Sequence, residues 1–258
     1  MARPLLAVAG IAVIGVGVAI GFGGWGFGST VSRDATLTQE IRGVKLENGS
    51  GDVRIRTAPG AARVHQTLRY HFSGAPGDAY RVEGDQLVIV DCGRNCTADM
   101  ELIVPPGIPV TGNSDSGTLD FAGVGSVDVT ADSGQARMQD VPGLVKLQLD
   151  SGSTELHNVG EVRVHSQSGR IEGDGLRGPV DVSAGSGRIE LTLTQPNNVK
   201  AQADSGRVEV SVPRSGSYQV TGNSESGHRS IDIPQNSGPD AKTLELNTDS
   251  GSVTVKAV

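Results

Sequence analysis

From about residue 111 to the end, polar and apolar residues alternate in short runs, and a recurring Ser-Gly pair separates the runs. The pairs begin at Ser116, Ser133, Ser151, Ser168, Ser186, Ser205, Ser226 and Ser250, at intervals of 17, 18, 17, 18, 19, 21 and 24. After them come TLDF at 118, QARM at 135, STEL at 153, RIEG at 170, RIEL at 188, RVEV at 207 and SVTV at 252. A period of two is that of a strand with one buried face. A second run precedes each pair, with inward residues such as Val127/Val129, Val145/Leu147, Val162/Val164 and Val180/Val182. Each repeat therefore reads strand, turn, strand, Ser-Gly turn. Two such strands bury too little alone, but stacking like strands in parallel closes a continuous core. The pattern predicts an all-β, β-helix-like parallel β-solenoid of about seven 17–24-residue repeats, roughly 34 Å long at about 4.8 Å per coil.

The same corner recurs in every coil, so the same residues recur. Glycine supplies a positive φ, and Asp or Ser side chains bond the amides of the turn. One unit breaks the rule, because His228-Arg229-Ser230-Ile231 sets Arg229 at an inward position and a long connection, 234–242, follows. A local distortion or shifted register is expected there. VKLENGSGDVRIR at 44–56 matches the repeat, so the array is expected to begin early, with 57–109 as an inserted or capping β region. The expected domains are 1–29 (anchor or signal segment), 30–39 (linker), 40–110 (first coil and β cap) and 111–258 (repeats).

Residues 5–27 are 23 consecutive uncharged, mostly apolar residues, enough for one transmembrane helix. Arg3 is the only basic residue before position 30, so the amino end is expected in the cytoplasm and the remainder outside, as a single-pass cell-membrane protein. The rival is a secreted protein after signal cleavage, but no A-x-A site follows the apolar run. The two cysteines, Cys92 and Cys96, lie between strand-like runs at 86–90 and 100–104. They read as a disulfide-stapled hairpin, which fits an extracytoplasmic address.

Charge narrows the partners. The 22 basic and 29 acidic residues give a net charge of -7, and no basic stripe with interleaved aromatics occurs, so nucleic acid is set aside. Asp115, Asp132, Asp150, Asp204 and Asp249 would stack along one edge, a weak calcium ladder, interrupted at Gln167 and Gly185. The pairs Arg170/Glu172, Arg188/Glu190 and Arg207/Glu209 repeat on successive coils and form the one patterned polar face, a possible binding face. Gly173 to Gly178 fits GxGxxG but no helix follows, which removes the dinucleotide reading. His65 and His71 are about 20 Å apart on one strand, too far to share a metal. No catalytic constellation, metal site or cofactor site is expected. A glycan-active β-helix enzyme would need aromatic platforms, and only Tyr70, Phe72, Tyr80, Phe121 and Tyr218 follow residue 30.

ENGSGDVRIR near residue 47, VPPGIPV at 104–110 and the DSG turns followed by R-I-E or R-V-E strands carry a resemblance. The sequence resembles the bacterial β-strand-repeat family labelled "putative adhesin", a domain of unknown function in cell-envelope proteins. The resemblance implies a non-enzymatic adhesin or envelope-binding scaffold whose partner is a cell-wall polymer or an envelope protein. The alternatives are an envelope-stress sensor acting through a membrane partner and, behind it, the glycan enzyme. The last strand, residues 252–257, has no evident cap and is expected to expose an edge.

Overall fold

The computed structural model describes residues 19–21, 28–71 and 74–258. Its strands are β1 (Ala19–Gly21), β2 (Gly28–Thr36), β3 (Gly43–Ser50), β4 (Val53–Thr57), β5 (Arg63–His71), β6 (Tyr80–Glu83), β7 (Gln86–Val90) and β8 (Cys96–Val104). There follow β9 (Pro109–Ala122), β10 (Ser126–Gln139), β11 (Val145–His157), β12 (Val162–Leu176), β13 (Val180–Leu193) and β14 (Val199–Val212). The last are β15 (Tyr218–Thr221), β16 (Ser224–Asp232) and β17 (Lys242–Ala257).

Strands β9 to β14 are each one coil, bent at its Ser-Gly pair and hydrogen-bonded in parallel to the next coil in unbroken order. The register sets Ser-Gly on Ser-Gly and valine on valine: Val127, Val145, Val162, Val180, Val199 and Leu244 form one column, all buried. A second bend closes each coil at Gly123, Asp140, Asn158 and Gly175, which share a positive φ of 53–78°. Valine follows the first three and leucine the fourth, and these four side chains are buried as well. This is the expected parallel, β-helix-like solenoid.

The glycines of the Ser-Gly pairs do more than relax the backbone. A Cβ built on Gly117 would overlap the carbonyl oxygen of Gly51; one on Gly134, that of Gly117; one on Gly187, that of Gly169. Consecutive coils approach so closely at this corner that no side chain fits, which fixes glycine independently of φ.

Both ends of the stack depart from sequence order. β3 and β4 lie between β9 on one side and β7 and β8 on the other, so the outermost coil is built from the later segment. At the far end β17 lies between β14 and the pair β15/β16. Ten coils result among the described residues, against about seven expected repeats. The final strand is therefore no exposed edge: both its sides are paired, and β16 is outermost instead.

Three further expectations are corrected. β7 and β8 are not a hairpin, since each pairs in parallel with the first coil, through β3 and β4. The Cys92–Cys96 disulfide forms, but it closes the corner of the outermost coil where other coils carry Ser-Gly. Residues 30–39, expected as a linker, contain most of β2, which pairs antiparallel with β5; β5 in turn lies on β8 and covers the coil stack. Around Arg229 the register is unbroken, with Ser226 on Ser250 and Arg229 on Val253. Arg229 does point inward, but from the last coil, where only one side is covered. Its guanidinium donates to the carbonyls of Thr221 and Leu246, and burial lowers its pKa. Of the expected membrane helix at 5–27, Ala19–Gly21 is a short strand on β2 and the remainder lies outside the described residues. Among the described residues no helix is long and apolar enough to cross a membrane.

Candidate functional site

The strand face that follows the Ser-Gly corner holds one outward charged column across eight coils. In spatial order it runs Glu101, Arg54, Asp120, Arg137, Glu155, Glu172, Glu190, Glu209. Beside it Arg170, Arg188 and Arg207 align two residues earlier in their strands. The expected Arg/Glu columns are thus brought together on one face, and they continue further toward the amino-terminal end than the R-x-E pattern signalled. Asp120, Arg137 and Glu155 hold the same place in the aligned runs TLDF, QARM and STEL, but their alternating sign hid the column, and Arg54 lies in the separate run at 44–56.

The pairing within this face is specific. Arg170 holds Glu172 at 2.9 Å and Arg188 holds Glu190 at 2.5 Å, each within one strand. Arg137 reaches across to Glu155 at 2.9 Å. Glu209 is held by Lys256 of the neighbouring coil at 2.5 Å, and this bond lowers its pKa against a weaker opposing effect of burial. Asp120 accepts from Arg56 at 2.6 Å and from Arg54 at 3.4 Å. Burial alone would raise the Asp120 pKa, but the two guanidinium groups outweigh it and hold the carboxyl below the usual aspartate value.

A shallow groove of about 650 Å³ lies on this face, lined by Arg56, Asp120, Arg137, Gln139, Glu155, His157, Glu172, Asp174, Glu190 and Thr192 among others. It crosses six coils, β4 and β9 to β13, and therefore extends some 24 Å along the axis at about 4.8 Å per coil. It lies beside the register shift between Gly173 and Leu176, where the chain of β12 bulges relative to β13. Asp174 at this bulge faces His157 at 3.4 Å. The GxGxxG match falls here, at a strand end and a corner, with no helix after it.

Asp115, Asp132, Asp150, Asp204 and Asp249 are each exposed, one per coil, immediately before the Ser-Gly corner. Gln167 fills the column between coils by donating to Asp150 at 2.8 Å. Among the described residues no group of three or more His, Cys, Asp or Glu is placed to hold a metal ion. His65 is engaged with Asp34 at 2.7 Å.

The family model described as Toastrack DUF4097 matches residues 97–256, well over half of the chain. The chain belongs to this Toastrack family. A search of the curated proteins finds no match. Among solved structures, a "putative adhesin" from Parabacteroides distasonis is 15% identical, with 89% of this chain and 97% of that chain covered and a TM-score of 0.52. A "putative adhesin" from Bacteroides fragilis is 12% identical over 89% and 97% of the two chains, with a TM-score of 0.37. A "putative lipid binding protein" from Parabacteroides distasonis is 14% identical over 89% and 96%, with a TM-score of 0.36. The first of these supports the Toastrack fold of the chain. The matched span begins inside β8, so the Toastrack region takes in all the Ser-Gly coils from β9 onward and leaves β2 to β7 outside it.

Proposed function

We propose that the protein is a non-enzymatic binding module of the cell envelope, held at the membrane by its apolar amino-terminal segment, with the solenoid on the outer side. The observation that carries this reading is the long charged groove across six coils, open along its length and lined by acids and bases already in pairs. A groove of this shape suits an extended polar chain, and the ligand we assign to it is a cell-wall polymer. Val258 is the one exposed large hydrophobic side chain among the described residues, so recognition rests on hydrogen bonds and charge rather than on an apolar patch. The adhesin labels of the structural neighbours agree with a binding role. The disulfide and the basic residue before the apolar run support the extracytoplasmic address.

The test is co-sedimentation of the purified protein with isolated cell walls, with the supernatant assayed for released sugar. Saturable binding without release, weakened roughly tenfold by the double change Glu172→Lys and Glu190→Lys, is the expected result. Sugar release would move the protein to the glycan enzymes, and binding unaffected by the charge reversal would place the wall contact elsewhere.

A further inference from the structure

The outermost coil at the carboxyl-terminal end of the stack has one free side. β16 pairs with β17 alone, and no described strand lies against its other edge over Ser224–Asp232. The edge of β15 next to it is partly covered, because the Asn236 amide donates to the Tyr218 carbonyl at 2.8 Å. The bare stretch is therefore the nine residues of β16. A row of unpaired backbone groups is a template for an added strand.

Two residues of that edge restrict what can be added. The first is Gly227. Along the Ser-Gly corner each glycine carbonyl occupies the place of a Cβ in the next coil, and the last step of this series sets the Gly251 carbonyl against Gly227. Continued by one more coil, the same step would set the Gly227 carbonyl against the added strand, so a strand laid in register on β16 would place glycine opposite it. The second is Arg229. A guanidinium has five N–H donors; this one is turned into the end of the core, donates to two backbone carbonyls, and is part of no ion pair among the described residues. A carboxylate set over it would add charge-assisted hydrogen bonds in a partly desolvated place.

We propose that the free edge of β16 receives an extended segment of a partner protein in parallel register, with glycine opposite Gly227 and Asp or Glu opposite Arg229. The recognised pattern is glycine, any residue, acid, any residue, apolar side chain, the last opposite Ile231. Parallel register follows from the neighbours, since the added strand has to bend where β16 and β17 bend. The partner is not a copy of this chain. The residues two places after the corner glycine here are Leu119, Ala136, Thr154, Ile171, Ile189, Val208, Arg229 and Val253, none of them acidic. Two β16 edges brought together would also bring two inward arginines to one interface. This inference stands apart from the groove, which lies on β4 and β9 to β13.

The test uses the full-length protein in detergent and a fluorescein-labelled 16-residue peptide with the sequence of Lys242–Ala257 and glutamate in place of Val253. Fluorescence anisotropy should show saturable binding, and hydrogen exchange should slow at 224–232. Alanine in place of the peptide's glycine, or lysine in place of its glutamate, should weaken binding at least tenfold. The change Arg229→Leu in the protein should do the same, and because the peptide variants alone test both contacts, the outcome does not hang on the folding of that variant. Absence of saturable binding overturns the proposal. So does equal binding of the alanine peptide, or equal binding of the peptide that keeps valine, which would signal displacement of β17. Self-association of the protein through this end overturns the choice of partner.

Discussion

The carbonyl oxygen of Gly134 fills the space in which a Cβ on Gly152 would have to sit, and Gly152 itself has a φ of 136°. The same relation links glycines along the whole corner, so each coil is locked to the next by backbone contact as well as by its hydrogen bonds.

Replacing Gly152 by alanine should therefore cost about 2 kcal/mol or more, since it adds both a backbone clash and an unfavourable φ. At the size of this protein that lowers Tm by roughly 5 °C. The neighbouring Ser151 is exposed, and Ser151→Ala should stay within about 0.5 kcal/mol. Thermal unfolding followed by circular dichroism compares the two; equal effects would mean that the close approach of the coils is not what fixes glycine.

The order of the last two coils is open to a direct check. Lys200 of β14 lies beside Glu245 of β17, whereas stacking in sequence order would set it beside Thr221. A protein with cysteines at 200 and 245 should form a disulfide in high yield on mild oxidation, and one with cysteines at 200 and 221, about 9.6 Å apart across two coils, should not. The opposite pattern would refute the inserted position of β17.

Because the Cys92–Cys96 bridge closes a loop of only five residues, its contribution should be about 2 kcal/mol and confined to the outermost coil. Changing both cysteines to serine should speed hydrogen exchange in β7, β8 and β5 while leaving β10 to β13 protected. A uniform loss of protection along the stack would show that the coil it closes nucleates the remainder.

Asp120 gives the fold a pH dependence of definite sign. Its carboxyl is held below the ordinary aspartate value by Arg56 and Arg54, with burial opposing. The unfolded chain therefore takes up the proton first, and the stabilisation is complete above the ordinary value and lost as the pH falls through the lowered one. Asp120→Asn should be less stable by about 1 kcal/mol near neutral pH and should converge on the parent protein in acid. Urea denaturation across the range measures this, and parallel curves for the two proteins would remove Asp120 as the source.

The coil period and the inward valines were legible because a strand with one buried face writes its period directly into the chain. The order of the coils was not. β16 and β17 share the alternating pattern and the Ser-Gly pair, so each could sit beside β14 equally well on spacing alone. Arg229 was the one available signal: between β14 and β17 it would be enclosed by Val208 and Val253, whereas on the outermost coil its charge stays near water. The cysteine segment misled for a related reason. Neighbouring strands across a short loop usually pair with one another, yet here the first coil offered both of them partners some 40 residues away. In the groove, Arg170/Glu172 and Arg188/Glu190 were visible as repeated pairs, while Asp120 on β9 and its two arginines on β4 belong to two strands that no local motif connects.

The tucked position of β17 has a mechanical consequence. A strand at the end of a stack can be peeled away one bond at a time, but β17 is held by β14 on one flank and by β15 and β16 on the other. Tension applied at the carboxyl terminus, along the strand, loads both ladders in shear at once, so their bonds must break together. A molecule tethered at one end and pulled at the other would resist as a clamp and not as a zipper.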